Sequence, residues 1–292
     1  MRDKTGTLVS RRMATQTFLA LLGGAVLVRC GGDPATAASD GADGGGGGTT
    51  GSGGEGGAAD AGADAATKGD ATGSAGAWAT GGTAAMVDAA SYPDPFTSAA
   101  TGCVLALAAT EGPCTEAADQ VRKDISEGYA GLPMRLALQV VDASCNPIAG
   151  ATVKVWHTQR TGSYSGDTPN NGMCLELAAD SAKHYFRGVQ TTDASGRVDF
   201  DSCFPGWYRS RVVHVHFTVT AGGKSFTSQL VFDDALVAEI FASHAEYKEF
   251  GQPDTTSSTD NVVKASPSSY VLAVARMTDG AMMASKRLVV PL

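Results

Sequence analysis

The chain has 292 residues and a net charge of −8 at neutral pH, with charged side chains at 18% of its positions. This length allows one large domain or two small ones. The acidic balance comes without a basic stripe carrying interleaved aromatic residues. It therefore argues against a nucleic-acid partner, because a negative surface repels phosphate backbones.

Residues 1–30 are predicted to be an export signal. A basic start precedes an apolar run at residues 18–28, which is shorter than the roughly 20 residues that a membrane-spanning helix needs. Arg11 and Arg12 resemble a twin-arginine signal. Residues 27–30 resemble a lipoprotein box with Cys30 as the lipidated residue, although Arg29 departs from the usual small residue. We expect an exported protein: periplasmic, tethered to a membrane as a lipoprotein, or extracellular.

Residues 31–91 are predicted to be a disordered tether. Gly, Ala, Ser, Thr and Asp dominate residues 31–82, where Trp78 is the one aromatic residue. Such a segment cannot bury enough apolar area to offset its backbone entropy. A flexible coil of this length reaches roughly 40 Å, which could hold a catalytic or binding domain away from a membrane. A spacer with no specific role is equally compatible.

From residue 92 to residue 292 the composition becomes globular and predicts a mainly β domain. Short apolar runs alternate with turns of Gly, Pro, Asn and Asp, and this spacing is typical of an antiparallel β-sandwich. One helix is expected at residues 234–246, with Asp233 as its N-cap, and a second, shorter helix at residues 116–126. The predicted strands are residues 135–141, 151–156, 196–200, 212–219, 225–232, 270–276 and 287–290.

Five cysteines follow the predicted signal, and no CxxC pair suggests zinc. In an exported chain such cysteines form disulfides more often than they bind metal. Because five cannot all pair within one chain, one is expected to stay free. We expect Cys174 to pair with Cys203, and Cys145 to pair with either Cys103 or Cys114.

The segment YRSRVVHVHF at residues 208–217 contains two histidines two positions apart. Side chains alternate along a strand, so His214 and His216 share one face while the intervening apolar residues face the core. Both imidazoles could then reach one metal ion. A pair of surface histidines on a half-exposed strand is the alternative, and the HxH pattern alone favours it.

Two neighbours of the histidine pair strengthen the metal interpretation. The cation of Arg211 disfavours protonation of the histidines and keeps them available as ligands. Tyr208 could bind a metal only as phenolate, which requires a strongly acidic ion because free phenol titrates near pH 10. Phenolate combined with imidazole suits ferric iron better than zinc or copper.

Nine short motifs follow one another over about 120 residues. They are EGP at 111–113, RKDI at 122–125, PIAGATVKVW at 147–156, GSYSG at 162–166, FRG at 186–188, TDASG at 192–196, PGWY at 205–208, RVVHVH at 211–216 and QLVF at 229–232. Each motif alone is weak, but in this order they resemble the intradiol ring-cleavage dioxygenases, and the chain resembles the exported branch of this catechol and protocatechuate dioxygenase-like family.

The resemblance implies a non-haem Fe(III) ion, one per chain, in a β-sandwich domain that opens a catechol ring with O2 to a muconate-type diacid. The implied metal ligands are Tyr164, Tyr208, His214 and His216, together with a solvent-derived hydroxide. Tyr208 is also implied to accept a catechol proton. Further implied catalytic residues are Arg211, which stabilises charge on the reacting ring, and Gln229, for which an outward-facing polar residue is an equally good reading.

Departures from the family pattern leave the particular catechol open. Cys114 and Thr115 replace the two aromatic residues that usually follow the EGP motif. The remaining histidines, 157, 184 and 244, match no ligand position and are expected to be structural. Two other interpretations remain: an exported transthyretin-like β-sandwich that binds without catalysis, and a copper or zinc centre. Neither accounts for the tyrosines.

Overall fold

The computed structural model describes residues 76–116, 120–166 and 171–292. The predicted export signal with Cys30, and the predicted tether up to residue 75, lie outside these ranges. Within them, no helix is long and apolar enough to cross a membrane.

Eight strands form two four-stranded sheets, which confirms the predicted β-sandwich. One sheet has the strand order β4-β1-β8-β7 and the other β3-β2-β5-β6. The neighbours are antiparallel except for β1 and β8, which run parallel. The strands are β1 (Pro133–Val141), β2 (Thr152–Trp156), β3 (Arg187–Thr191), β4 (Arg197–Cys203), β5 (His214–Ala221), β6 (Lys224–Val231), β7 (Ala273–Arg276) and β8 (Met282–Val289).

Alternation along the strands places the apolar core between the two sheets. In β5 the residues that alternate with the histidines point inward, as do those of its neighbour β2 at the same two-residue spacing, and β1 of the other sheet supplies the facing residues. The core therefore lies between the inner faces of the two sheets. His214 and His216, which alternate with the core residues of β5, lie on the opposite face of that strand. Fully or almost fully buried core members include Leu136, Leu138, Val140, Val153, Val155, Val215, Phe217 and Val219.

Strand β3 was not predicted from the sequence. Its residues, RGVQT, contain no clean alternation of apolar and polar side chains. Gly188 is needed there because a Cβ would lie 2.4 Å from Ile125 Cγ2. The strand exists because its backbone pairs with β2 over five residues, from Thr152 opposite Thr191 to Trp156 opposite Arg187. Tertiary pairing has overridden a weak local preference.

Helix α2 (Asp234–Ser243) matches the predicted helix, and α1 (Asn171–Cys174) is a single turn. The Asp233 carboxylate accepts hydrogen bonds from the first N–H groups of α2, which confirms it as the N-cap. The helix ends before the predicted residue 246 because His244 has an extended ψ of 131°. Short 3-10 helices lie at Gly82–Ala85, Ala89–Ser91, Ala178–Ala182, Lys248–Phe250 and Pro267–Ser269.

The helix predicted at residues 116–126 is wrong for its described residues. Val121 forms an isolated bridge with Val189, and Asp124 forms one with Asp201. The N–H of Ile125 donates to the Asp201 carbonyl at 2.9 Å. Backbone groups that would close a helix are thus used for contacts with β3 and β4, since pairing to existing strands satisfies the same donors and acceptors.

Residues 76–91 pack against the sandwich. The Trp78 ring lies 4.0 Å from the Arg276 guanidinium and contacts the main core. The Ala89 carbonyl accepts a hydrogen bond of 2.7 Å from Arg135 Nη1. Tyr92 donates to Asp279 at 2.6 Å. The folded body therefore includes residues 76–91, which precede residue 92, the predicted start of the domain.

Two disulfides join Cys103 to Cys145 and Cys114 to Cys174. The first confirms one expected pair, whereas the predicted bond between Cys174 and Cys203 is wrong. Cys203 is a buried free thiol at the end of β4, and Cys174 instead lies in α1, opposite the segment that follows the EGP motif. Disulfides are typical of oxidising compartments outside the cytosol.

His157 is a core histidine rather than a site residue. It is fully buried, its Nδ1 lies 2.8 Å from the Thr158 carbonyl, and its Nε2 lies 2.7 Å from the Ser202 hydroxyl. Because a carbonyl only accepts, Nδ1 carries the proton and Nε2 accepts from Ser202. Burial lowers the pKa of His157 to about 4, against the opposing effect of the Thr158 hydrogen bond.

This pKa predicts a stability loss in weak acid. Between pH 6.5 and pH 4 the unfolded state binds a proton at His157 that the folded state does not, so stability falls as the pH falls. The full contribution is about 3 kcal/mol. Denaturant unfolding of wild type and His157→Gln should diverge in pH slope across this window. Parallel slopes for wild type and His157→Gln would contradict the prediction.

Candidate metal centre

Four side chains from three parts of the chain meet on the outer face of the second sheet. Strand β5 supplies His214 and His216, the loop between β2 and α1 supplies Tyr164, and the loop between β4 and β5 supplies Tyr208. In the sheet, His216 lies opposite Trp156 on β2 and opposite Gln229 on β6. These three residues therefore share one face, as cross-strand partners do.

The donor atoms of the four residues converge. His214 Nε2 lies 3.0 Å from His216 Nε2, 3.3 Å from Tyr164 Oη and 3.3 Å from Tyr208 Oη. Both histidines are buried, with exposed fractions of 3% and 2%, so the surface-histidine alternative is wrong. The structure brings together all four residues that the sequence nominated as ligands.

Hydrogen bonding fixes the tautomer of His214. Its Nδ1 lies 2.6 Å from the Val212 carbonyl, and a carbonyl can only accept. Nδ1 therefore carries the proton, and the lone pair of Nε2 points at the other three donors. Burial, followed by the charge of Arg211, lowers the pKa of His214 to about 3. A neutral imidazole with a backbone-held Nδ1 is the usual form of a metal-binding histidine.

His216 is held by packing. Its ring stacks on Trp156 with centroids 4.8 Å apart and planes at 8°. Gly112 of the EGP motif lies against the other side, where a Cβ would be 3.4 Å from His216 Cε1. His216 Nδ1 is buried without a hydrogen-bond partner among the described residues. Burial, then the proximity of His214 and Arg211, lowers the pKa of His216 well below its ordinary value.

The two tyrosines are held as neutral phenols by their surroundings. Tyr164 is 1% exposed, and its N–H donates to the Cys174 carbonyl at 2.8 Å. Burial, followed by the neighbouring Tyr208, raises the pKa of Tyr164 well above its ordinary value. Burial also raises the pKa of Tyr208, against the lowering effect of Arg211. Either phenol would ionise here only beside a strongly charged cation.

This donor set fits a trivalent, hard metal ion better than zinc or copper. No group of three or more His, Cys, Asp or Glu side chains in the described ranges could hold a metal ion. A metal bound by the converging set would therefore need the phenol oxygens of Tyr164 and Tyr208 beside the two imidazoles. Phenolate oxygens with imidazole nitrogens are ligands that ferric iron accepts, so the residues present fit Fe(III).

Arg211 lies beside this cluster and is held from several sides. Its Nη1 is 3.5 Å from Tyr208 Oη, its Nη2 donates to Gln229 Oε1, and its Nε donates to Asp260 Oδ2 at 2.8 Å. Gln229 is 1% exposed and donates through Nε2 to the Thr110 carbonyl at 2.9 Å. Gln229 therefore lies on the same outer face of the sheet as His216, but it is buried there against Arg211 and Thr110 rather than exposed to solvent.

Sequence reasoning missed Asp260. It lies in the long loop between α2 and β7, 49 positions after Arg211, and nothing in the sequence connects the two residues. The run Asp260, Asn261, Val262, Val263 resembles a helix or turn start, and the carboxylate does accept from the N–H groups of Val262 and Val263 at 2.8 and 3.1 Å. The sequence around Asp260 therefore indicates only a local capping role, and it gives no sign of the contact with Arg211.

A cavity of about 460 Å3 opens beside the cluster. Its wall combines the EGP segment and its disulfide with α1 and the loop between β4 and β5. Tyr208, Arg211 and His216 reach it, whereas His157, His184 and His244 do not line it. Other lining residues include Gly112, Cys114, Met173, Glu176, Arg209 and Asn261.

Comparison with known proteins agrees with this geometry. A family model described as dioxygenase matches residues 109–273. An intradiol ring-cleavage dioxygenase from Tetranychus urticae is 26% identical with a TM-score of 0.58, over 65% of this chain and 96% of that chain. A second solved dioxygenase is 25% identical with a TM-score of 0.57, over the same shares.

More distant structures include the catechol 1,2-dioxygenase from Pseudomonas arvilla C-1, at 20% identity and a TM-score of 0.45 over 62% of this chain and 60% of that one. No curated protein matches. The family match covers more than half of the 292 residues and contains all four converging donors, Arg211 and Gln229. The chain belongs to the intradiol ring-cleavage dioxygenase family.

Proposed function

We propose that this protein is a non-haem Fe(III) intradiol dioxygenase that cleaves a catechol-type ring with O2 to a muconate-type diacid. One observation carries the proposal: two buried imidazole nitrogens 3.0 Å apart, with two phenol oxygens 3.3 Å from one of them. A binding module without a metal would have no need to bury these four polar groups together, because burial of polar groups without strong partners is costly.

Tyr164, Tyr208, His214 and His216 would hold the ion. When bound, the ferric ion supplies Lewis acidity that favours the catecholate and draws electron density from its ring. Tyr164 and the histidines would be the fixed ligands, since packing or backbone hydrogen bonds hold each of them. Tyr208 would be the displaceable ligand, because it is only partly buried and lines the cavity.

Proton transfer and charge stabilisation fall to Tyr208 and Arg211. Tyr208 Oη borders the cavity; ionised as a phenolate when the metal is bound, it would accept one catechol proton as the substrate binds and become a neutral phenol. Arg211 Nη1, 3.5 Å from that oxygen, places its positive charge where the catecholate carries negative charge. Gln229 does not line the cavity but contacts the other Arg211 amino group, so we assign it a positioning role for Arg211.

The cavity favours a substituted catechol. Its volume of about 460 Å3 lies within the range of about 300–1,000 Å3 that is typical of pockets for drug-sized ligands. Arg209 and Glu176 bring side chains of opposite charge to its wall. We propose that the substrate carries a polar substituent that extends from the ring towards these residues, and that unsubstituted catechol is a poorer substrate with a higher KM.

Purification with ferric iron tests the function. We expect burgundy protein with about one iron per chain, as the family assignment implies, and O2 consumption with catechols that gives a ring-opened diacid. Colourless protein that stays iron-free after reconstitution would favour the transthyretin-like binding module. Stoichiometric zinc or copper with no response to iron would favour the other metal centre.

We also propose that the protein is exported and that a tether precedes its folded domain. The two disulfides support an oxidising location. Mass spectrometry of protein isolated from membranes and from culture medium tests whether cleavage occurs near residue 30 and whether Cys30 carries a lipid. An intact cytosolic chain with reduced Cys103, Cys114, Cys145 and Cys174 would contradict export.

Tyr208→Phe is expected to impair catechol binding more than iron binding. Phenylalanine cannot accept a proton, whereas the other three ligands remain, so the rate of anaerobic catechol binding should fall on the order of 10²-fold. Tyr208→Phe should lose less than half as much bound iron as Tyr164→Phe loses. Stopped-flow absorbance and metal analysis measure the two effects, and unchanged catechol binding kinetics would exclude this role.

A further inference from the structure

We propose that Asp260 is a positioning residue that aims the Arg211 guanidinium at the catechol-binding cavity. The inference rests on the proposed function and deepens it. It assigns a role to a residue in the loop between α2 and β7, an element that supplies none of the converging donors.

The Asp260 carboxylate is fully buried and each oxygen has two donors. Oδ1 accepts from the N–H groups of Val262 and Val263 at 2.8 and 3.1 Å. Oδ2 accepts from Arg211 Nε at 2.8 Å and from the Val212 N–H at 3.0 Å. One oxygen thus orders its own loop, and the other holds the segment that leads into β5. The two functions are carried by different atoms of one side chain.

The contacts of Arg211 point in three directions. Nε is held by Asp260, Nη2 by Gln229, and Nη1 approaches Tyr208 Oη at 3.5 Å. A guanidinium is planar, so fixing Nε and Nη2 also fixes the direction of Nη1. With Asp260 absent, the long arginine side chain could rotate about Gln229 alone, and Nη1 would no longer be held toward the cavity.

Asp260 also supplies a negative charge beside Arg211. The Asp260 side chain is 0% exposed and that of Arg211 17%, so water screens the pair weakly. The pair leaves Arg211 charged but anchored next to the two neutral histidines. Without the carboxylate, the guanidinium would gain by turning toward solvent, which moves it away from a bound catecholate.

The separating variant is Asp260→Ser. A serine hydroxyl can accept from the N–H groups two and three positions later, as in a helix N-cap, so the loop contact of Oδ1 is kept. The shorter side chain does not reach Arg211 Nε. Asp254→Ser is the matched control, since Asp254 lies in the same loop and accepts from the Ser210 N–H at 3.0 Å without touching Arg211.

The readouts are iron content, thermal midpoint and the Kd of 4-methylcatechol measured anaerobically by the visible band. For Asp260→Ser we expect near wild-type iron content and a Kd raised about 10- to 100-fold. Asp254→Ser should change the Kd less than threefold. A Kd for Asp260→Ser within threefold of wild type would overturn the inference.

A double-mutant cycle separates positioning from a general structural effect. In an Arg211→Met background, adding Asp260→Ser should change the Kd less than threefold, because the side chain through which Asp260 acts is gone. An equal 10- to 100-fold effect in both backgrounds would show that Asp260 acts independently of Arg211 and would overturn the inference. Wild-type protein that binds iron but no catechol would overturn the proposed function, and with it this role.

Discussion

Replacing Tyr164 with phenylalanine is expected to remove the iron colour and the activity together. Tyr164 supplies one of the two phenol oxygens in the cluster, 3.3 Å from His214 Nε2. Phenylalanine keeps the ring that packs against Trp156 and the Cys114–Cys174 disulfide but removes the oxygen. The change therefore tests ligation with little change in packing volume.

The expected effect is large because Tyr164 is proposed to be a ligand rather than a supporting group. Loss of an outer-shell partner lowers metal affinity roughly 10- to 100-fold, and loss of the ligand itself should exceed this. Removing a negative oxygen also leaves a trivalent ion with less charge compensation at a buried position. His214→Ala should have a comparable effect, since His214 Nε2 is close to all three other donors.

The measurements are iron content, the visible phenolate-to-iron band and O2 consumption. Tyr247→Phe is the control: Tyr247 is equally buried, and its hydroxyl donates to the Phe204 carbonyl at 2.5 Å, away from the cluster. That variant should lose about 1 kcal/mol of stability and keep its colour. A Tyr164→Phe protein that keeps wild-type iron and colour would contradict the ligand assignment.

The converging donors could be predicted because their signals are local or ordered. His214 and His216 share a face by simple strand alternation, and the motif order placed Tyr164 and Tyr208 with them. The sandwich was predictable for a similar reason, since a period of two and turn residues are written directly into the strand segments. For the histidine pair and the strands, the information lies within a few residues of the feature predicted, whereas the two tyrosines could be predicted only from the order of motifs along the chain.

The features missed depend on residues far apart in the chain. Strand β3 and the extended segment around Val121 exist through backbone pairing with other strands, which no local pattern encodes. The contact of Asp260 with Arg211 spans 49 positions and uses an aspartate that locally resembles a cap. The predicted bond between Cys174 and Cys203 is wrong for the same reason, because disulfide connectivity follows from the fold rather than from cysteine spacing.

Removal of the Cys114–Cys174 disulfide is expected to weaken both the fold and the metal centre. Cys114 directly follows the EGP motif, where the family usually has an aromatic residue. The Cys174 carbonyl accepts the Tyr164 N–H at 2.8 Å, and the Cys114 carbonyl accepts from Arg187 Nη2 at 2.6 Å. The Arg187 guanidinium in turn lies 5.9 Å from the centre of the Tyr164 ring.

The disulfide therefore joins two cavity walls and helps to orient Tyr164, a proposed ligand. Its closed loop spans 60 positions, for which chain entropy gives a stabilisation of about 4 kcal/mol. The double variant Cys114→Ala/Cys174→Ala should lose about this much stability. It should also bind iron more weakly and show a higher KM, since both the Tyr164 loop and the wall beside Gly112 gain freedom.

The Cys103–Cys145 disulfide provides a matched control within the same chain. It closes a loop of 42 positions, so Cys103→Ala/Cys145→Ala should lose a similar amount, again about 4 kcal/mol. Cys103 and Cys145 do not line the cavity, so iron affinity and KM should stay near wild type at temperatures where both variants are folded. Denaturant unfolding, iron titration and steady-state kinetics would distinguish the two. Equal effects of both double variants on iron affinity would show that the Cys114–Cys174 bond acts on the centre only through global stability.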